Sequence, residues 1–406
     1  PTAHWMPAWS ARAMPEIRRI RLEKRIERFL SAGHPWVWRN ALRDPPGTAG
    51  DVVTVTDPSG EFLARGIADG GRVGVRVWTL RDEPVDDALL RARFEAAARL
   101  RDACVPPNTD AYRLLHGEGD STPGIVVDVY GAHAVLRLDG TGITRWTERI
   151  ADALMPVLTA RGVDHLLLRT GKKGDAPVLE ALRGALPNAP LVITEHDMKL
   201  HADVLRGQKT GLFLDQRESR ARVRAMSKGA RVLNLYGYTG GFSVAAALGG
   251  AAHVDTVDIS ADAVEMAQRN FALNGLDAGT HGTFAEDVPA FLHRAVEAGR
   301  TYDLIVSDPP NFAPSEDAVP AALESYRKLH AACLSILEPG GFYLAASCSS
   351  HVRMPEFETS VTDAASTTDD VLQVLDRWGA PPDHPRLLAF PEGDYLKAIL
   401  VRTRGA

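Results

Sequence analysis

Two short segments carry most of the chemistry legible in this sequence. Ser307-Asp308-Pro309-Pro310-Asn311-Phe312 closes the apolar run Leu304-Ile305-Val306, and Ser347-Cys348-Ser349 closes a second run, Phe342 to Ala346. Paired prolines stiffen the chain by fixing φ near about −65°. They also press the preceding residue into extended backbone. Asp308 and the Asn311 backbone then face the crevice at a strand end, where open α/β sheets bind ligands. Phe312 offers a face on which a flat base can stack, worth about 1–3 kcal/mol per base; the alternative is a rigid loop with Phe312 in the core.

A lone cysteine is usually a small buried hydrophobe, and Cys104 and Cys333 are read that way. Cys348 instead stands between two serines beyond a strand's apolar run, within reach of the crevice. A thiolate there can add to carbon 6 of a pyrimidine, which makes carbon 5 enamine-like and able to accept a methyl group. Loss of the carbon 5 proton then expels the thiol. This is covalent catalysis that divides one hard step into easier ones. A free thiol titrates near about pH 8.5, so some thiolate exists at neutral pH. Asp308 can hydrogen-bond the cytosine near ring nitrogen 3 as the adduct forms.

A methyl donor needs its own pocket. Tyr236-Gly237-Tyr238-Thr239-Gly240-Gly241 follows the strand-like Val232-Leu233-Asn234-Leu235. Its glycines let the backbone turn tightly beside a ligand, yet their spacing is not the dinucleotide fingerprint. Asp258 lies about 20 residues on, at the next strand end beside Ile259, where a carboxylate accepts from ribose hydroxyls. Asp287 follows the third strand and is placed to meet an adenine amino group, unless it only caps a helix. S-adenosylmethionine fits this series better than NAD does, because the phosphate-binding fingerprint is absent and hydride transfer has no use for an Asp-Pro-Pro turn.

The elements that must hold these residues follow from periodicity. At 406 residues, two or three domains are expected. From Ile17 to about Leu80 the runs are short and β-like, with Val52 to Val55, a turn at Asp57-Pro58-Ser59-Gly60, and Val73 to Trp78. Helices are predicted at 86–103 and 144–159, with a strand at 124–130. Beyond Arg231 strand and helix alternate: helix 261–273 with Ser260 as N-cap, helix 289–298, strand 303–307, helix 320–337 and strand 342–346. That alternation argues a doubly wound α/β domain with a mostly parallel sheet. Residues 1 to about 15 show no clear period and read as a loose lead-in.

Composition is that of an ordinary soluble globular protein, with 45% apolar and 24% charged residues. No apolar run is long enough to span a membrane, no secretory leader is read, and three distant cysteines make neither a disulfide framework nor a metal site. A cytoplasmic location is expected. The net charge of −6 counts against a nucleic-acid binder, but its distribution is uneven. Arg12, Arg18, Arg19, Arg21, Lys24, Arg25 and Arg28 face only Glu16, Glu23 and Glu27; Arg206, Lys209, Arg217, Arg220, Arg222, Arg224 and Lys228 face only Asp215 and Glu218. Such stretches are either phosphate-binding faces or solvated helix faces.

These motifs together resemble a family. Gly207-Gln208-Lys209-Thr210-Gly211-Leu212-Phe213-Leu214-Asp215-Gln216-Arg217, Tyr238-Thr239-Gly240-Gly241, the Asp-Pro-Pro segment and Ser347-Cys348-Ser349 look like those of the RlmI-type 23S ribosomal RNA cytosine-5 methyltransferases. His34-Pro35-Trp36-Val37, Ala64-Arg65-Gly66 and Arg76-Val77-Trp78 resemble that family's N-terminal PUA domain, an RNA-binding barrel. Glu195-His196-Asp197-Met198-Lys199 resembles the segment that leads into its catalytic domain. The resemblance implies that Lys209, Thr210, Phe213, Asp215 and Arg217 help form the S-adenosylmethionine pocket and that Cys348 is the nucleophile. One position departs: the family usually has Lys where this chain has Asn311.

The expectation is therefore a multi-domain chain: a PUA-like small β-barrel at 17–82, a central α+β domain at 83–205, and a C-terminal doubly wound, Rossmann-like methyltransferase domain at 206–406. Its cofactor residues are Lys209, Thr210, Phe213, Asp215, Arg217, Tyr236, Gly237, Thr239, Gly240, Asp258, Ile259, Asp287 and Asp308. Cys348 and Asp308 do the chemistry, and Pro309, Pro310, Asn311 and Phe312 hold the base. No metal is expected. RNA, 23S ribosomal RNA by the resemblance, is the expected partner, and a homodimer is compatible with the chain. A methyltransferase acting on an exocyclic amine or guanine ring nitrogen, one acting on a small molecule, and a non-enzymatic RNA-binding protein stay open as alternatives.

Overall fold

The computed structural model describes residues 17–171, 177–366, 368 and 371–404. The N-terminal lead-in, with Arg12 and Glu16, lies outside them. Two compact units divide the chain: one runs to Asp86 and includes Gly140–Trp146, the other holds Asp87–Asp139 and everything from Thr147 onward.

In the first unit, strands β1 (Arg18–Arg21), β2 (Trp36–Trp38), β3 (Val52–Thr56), β4 (Phe62–Ala68) and β5 (Val73–Thr79) form a sheet in the order β1-β3-β4-β5-β2. β1 runs parallel to β3, and the other pairs are antiparallel. Successive strand side chains face opposite ways. Ile20 therefore enters the core with Val37, Val53 and Val75 while Arg19 and Arg21 face outward, and Arg18, the first residue of the strand, is exposed as well. The turn after β3 is set by Asp57, whose Oδ1 accepts from the backbone N–H groups of Ser59 (2.8 Å) and Glu61 (2.9 Å). Gly140–Trp146 belongs here because Asp69 accepts from Thr141 Oγ1 (3.0 Å) and the Gly142 N–H (3.1 Å). The helix expected at 144–159 is accordingly shorter: Ile143–Trp146 is a 3-10 turn, and the α-helix starts at Thr147.

The second unit opens with α2 (Asp87–Cys104), α1 (Glu27–Ser31) being the short helix of the first. Strands β6 (Ala111–His116), β7 (Ile125–Tyr130), β8 (His133–Leu138), β9 (His165–Thr170) and β10 (Val178–Arg183) form a sheet in the order β10-β9-β8-β7-β6, with α3 (Thr147–Thr159) between β8 and β9. A hairpin follows, β11 (Leu191–Glu195) with β12 (Met198–Ala202). Its two turn residues, His196 and Asp197, have φ of 46° and 65°. Positive φ at both is what a tight hairpin turn requires.

The catalytic sheet has the order β15-β14-β13-β16-β17-β19-β18. Its strands are β13 (Arg231–Leu235), β14 (His253–Asp258), β15 (Gly282–Ala285), β16 (Tyr302–Ser307), β17 (Leu337–Ser347), β18 (Leu372–Trp378) and β19 (Lys397–Thr403). β13 to β17 are parallel, and β19 runs antiparallel to both β17 and β18. Adjacent residues of β13 feed opposite faces. Val232 packs with Val223 of α4 (Arg217–Met226), Val244 of α5 (Gly241–Leu248) and Phe271 of α6 (Ala261–Leu273). Leu233 packs with Phe291 of α7 (Val288–Glu297), Tyr326 of α8 (Val319–Leu334) and Phe357 of α9 (Met354–Ala365). Strand order reverses between β13 and β16, which opens a crevice at their C-terminal ends. Ser260 caps α6 by accepting from the Ala263 N–H. α8 ends at Leu334 and β17 begins at Leu337, earlier than the periodicity places them, because Leu337 pairs with Tyr302 across the ladder.

Candidate active site and cofactor cavity

A cavity of about 480 Å³ opens where β13, β14, β16 and β17 end. Its floor is the turn after β13. Tyr236 and Tyr238 have φ of 56° and 47°, left-handed values that cost a non-glycine residue on the order of 1–2 kcal/mol each. Gly240, at φ 77°, is the residue before α5. Gly237 is required by space: an added Cβ would lie 2.7 Å from Thr256 Cγ2 and 2.9 Å from Asn234 Nδ2. Thr239 lines the cavity with a buried Oγ1 that has no hydrogen-bond partner.

Asp258 ends β14 and accepts at Oδ2 from the Tyr238 N–H (2.8 Å) and at Oδ1 from the Ser260 N–H (2.9 Å). The carboxylate is thus oriented on the cavity wall, beside exposed Ile259. Asp287 does not join them. It is exposed and caps α7, accepting from the Ala290 N–H at 3.3 Å, so the capping alternative describes it.

Lys209, Phe213 and Asp215 line the opposite wall. Lys209 Nζ lies 2.5 Å from Asp215 Oδ2 and 4.4 Å from the Phe213 ring centre. Tyr395 donates to the same carboxylate oxygen at 2.8 Å. Burial raises the Asp215 carboxyl, but the charges of Lys209 and His384 override it and hold the group well below the usual carboxylate range. Its Oδ1 is buried without a partner. Thr210 and Arg217 stand off the cavity. Thr210 donates to Asp128 at 2.6 Å, and Asp128 in turn pairs with Arg113 at 2.7 Å. Arg217 is fully buried against both oxygens of Asp383, at 2.8 and 3.0 Å. Both residues brace the cofactor segment against its surroundings.

Asp308 closes the cavity at the end of β16, with Pro309, Pro310 and Asn311 beside it. Gln216 Nε2 donates to Asp308 Oδ2 at 2.9 Å. Burial, aided by the Asp215 charge, pushes this carboxyl up to about 6. Phe312 turns away, its ring 4.9 Å from that of Tyr326 in the core. The core alternative therefore holds for Phe312, because the helix α8 beneath the loop offers it an aromatic partner.

Cys348 is half-buried on the same wall, one residue beyond β17. Burial first, and then the Asp308 charge, push its thiol up to about 11. Its neighbours are tied down: Tyr326 OH meets Ser347 Oγ at 2.9 Å and Ser349 Oγ at 3.1 Å, and Ser349 Oγ donates to Asn311 Oδ1 at 2.7 Å. Gln216, Tyr326 and Lys397 are site residues that the motifs did not single out. For Lys397 a signal existed, a single charge opening the apolar run Ala398-Ile399-Leu400-Val401.

The basic stretch at 206–228 is divided, with Arg206, Arg222 and Lys228 exposed and Arg217 and Arg220 buried. Arg217 pairs with Asp383, and Arg220 is buried against Glu195 at 2.6 Å. By contrast Arg18, Arg19, Arg21, Lys24, Arg25 and Arg28 are exposed.

Comparison with known proteins meets this geometry. The profile of S-adenosylmethionine-dependent methyltransferases matches residues 141–402, and that of the PUA-like domain matches residues 20–80. Fold and site thus define an S-adenosylmethionine-dependent methyltransferase that carries a PUA-like sheet domain. The chain is 36% identical over 396 residues to "Ribosomal RNA large subunit methyltransferase I" of Shewanella denitrificans, spanning 95% of this chain and 99% of that one. It is 35% identical to the protein of the same name from Salmonella arizonae, spanning 96% and 98%. The chain belongs to the ribosomal RNA large subunit methyltransferase I family. A structure described as an S-adenosylmethionine-dependent methyltransferase from Streptococcus mutans shares the fold, with a TM-score of 0.83 over 95% of this chain and 100% of that one at 24% identity. A methyltransferase structure complexed with SAH gives 0.84 at the same coverage and identity.

The cavity suits the donor these comparisons name. The unpartnered Thr239 Oγ1 and Asp215 Oδ1 offer polar contacts to a ligand that is polar along its length.

Proposed function

We propose that this enzyme methylates carbon 5 of a cytosine in 23S ribosomal RNA through a covalent adduct on Cys348. The observation that carries this reading is the placement of Cys348 and Asp308 at the ends of two paired parallel strands, on one wall of the cavity that the glycine turn floors. A methylator of exocyclic amines needs no thiol at that position.

When bound, S-adenosylmethionine supplies an electrophilic methyl group. Asp258 would take its ribose hydroxyls with Ile259 beside it on the wall, while Tyr236, Gly237 and Thr239 give the donor its floor and Gly240 turns the chain into α5. Lys209, Phe213 and Asp215 would face it from the opposite wall. Pro309, Pro310 and Asn311 would flank the cytosine. The Cys348 thiolate adds to carbon 6, and Asp308 hydrogen-bonds ring nitrogen 3 as negative charge gathers on the ring. A carboxyl held near about 6 can keep or release a proton around neutral pH, which is what that contact requires.

The names of the relatives support the RNA substrate, and so do the PUA-like match and the exposed arginines of β1. Among the described residues no helix is long and apolar enough to cross a membrane, and we place the enzyme in the cytoplasm with its substrate. We read the chain as a PUA-like barrel at 17–82, a central domain at 83–205 and a doubly wound, Rossmann-like domain at 206–406, with Gly140–Trp146 grouped with the first of these. Nucleoside mass spectrometry of ribosomal RNA from cells lacking the protein tests the proposal. Loss of one 5-methylcytidine supports it; loss of a methylguanosine or methyladenosine alone overturns it.

A further inference from the structure

Lys397 opens β19 and sits opposite Ser347 in the β17–β19 ladder. Its side chain is 2% exposed. A buried ammonium is costly unless it is paired, yet no carboxylate lies within ion-pair distance of Lys397 among the described residues. Two of its three N–H donors go to backbone carbonyls, those of Ser349 and of Tyr395, the latter at 2.9 Å. The first of these is the carbonyl of the residue that follows Cys348.

The charged groups around this pair come from several elements. Asp394 and Glu356 face Lys397 from the exposed surface; Asp308 shares the cavity wall with Cys348, and Asp215 and Lys209 act on the thiol from the wall opposite. Lys209 is committed to Asp215 at 2.5 Å. Lys397 is the cation beside Cys348 that no carboxylate neutralises at contact distance. Burial lowers its amine to about 8, while the neighbouring thiol acts in the opposite direction.

We propose that Lys397 is a positioning residue for Cys348: it fixes the peptide after the nucleophile and supplies the positive charge against which the thiolate forms. The step it assists is ionisation of the thiol. At neutral pH, below the range where the amine itself titrates, the Sγ–H bond breaks, its electron pair stays on sulfur, the proton passes to water, and Lys397 keeps its own protons. The proposal rests on the reading of Cys348 as nucleophile.

The test is the pH profile of Cys348 alkylation by iodoacetamide, read on the Cys348 peptide by mass spectrometry. Neither RNA nor methyl donor is present, so this result and the cytosine chemistry can fail separately. Lys397→Met and Lys397→Gln should each slow alkylation near neutral pH, where the ammonium carries its charge, about tenfold. Lys397→Arg should restore most of the rate. Lys397→Gln keeps a donor for the Ser349 carbonyl, so its effect isolates charge from anchoring. A measurement that leaves Lys397 in place guards against misfolding: Cys348→Ala should lower the Lys397 pKa read by nitrogen NMR of its side chain. Unchanged alkylation at neutral pH in a folded Gln or Met variant, or an unmoved Lys397 pKa in Cys348→Ala, would overturn the proposal.

Discussion

Gln216 donates its side-chain amide to Asp308 Oδ2 at 2.9 Å, so the segment before α4 holds the carboxylate of the Asp-Pro-Pro turn. That one bond joins two motifs separated by 92 positions in the sequence. It also orients an acid whose burial is unfavourable.

The carboxyl of Asp308 is held at about 6, above its ordinary 3.8. A group with a raised folded pKa binds its proton more tightly when native. Its cost to stability therefore grows from about pH 4 to about pH 6, stays constant above, and vanishes in acid. Asp308→Asn should stabilise the fold by roughly 1–3 kcal/mol at neutral pH. Methyl transfer should fall at least about a hundredfold. Thermal unfolding at neutral pH and near pH 4 checks this, because the stability difference should close at the lower pH.

Gly237→Ala should weaken S-adenosylmethionine binding at least about tenfold and cost roughly 1–3 kcal/mol, since its Cβ meets Thr256 and Asn234 in a packed site. Calorimetric titration measures the first and denaturant unfolding the second.

Arg217→Met separates a brace from a cofactor ligand. It should destabilise the protein by about 3 kcal/mol, because it leaves the Asp383 carboxylate buried without its bidentate partner. Although burial opposes it, bonds from His384 and Arg217 hold Asp383 below its ordinary pKa. The stability that this pairing adds is present at neutral pH and is lost on acidification, so the deficit of the variant should shrink in acid. S-adenosylmethionine affinity of the folded variant should stay within about threefold.

Asn311→Lys places a cation beside the Asp-Pro-Pro turn. Its effect should appear as a salt dependence of RNA binding that is steeper by about one unit of log K against log salt. An unchanged slope would mean that position 311 meets no phosphate.

Much of the site was legible because strand ends announce themselves. Asp308 and Cys348 each follow an apolar run, Asp258 ends an alternating strand, and each lies on the cavity wall. The glycine turn was legible for the same reason. What stayed hidden depends on partners remote in sequence. Arg217 and Arg220 read as part of a basic face, but Asp383 and Glu195 neutralise them from 166 and 25 positions away. Phe312 follows the turn residues, yet Tyr326 draws its ring inward. Lys397 shows only as a single charge opening an apolar run, and its bonds to backbone carbonyls leave no trace in residue type. The placement of Gly140–Trp146 with the N-terminal unit rests on hydrogen bonds to Asp69 that periodicity does not register.

The central claim is that Cys348 attacks a cytosine. Ribosomal RNA carrying 5-fluorocytidine has no carbon 5 proton to lose, so an adduct formed on it stays closed. Incubated with S-adenosylmethionine, the wild-type enzyme should give a denaturation-resistant RNA–protein complex, with the nucleotide mapped by peptide mass spectrometry to Cys348. Cys348→Ala should give none while still binding the donor. Undiminished methyl transfer by Cys348→Ala, or an adduct on any other residue, would contradict the account.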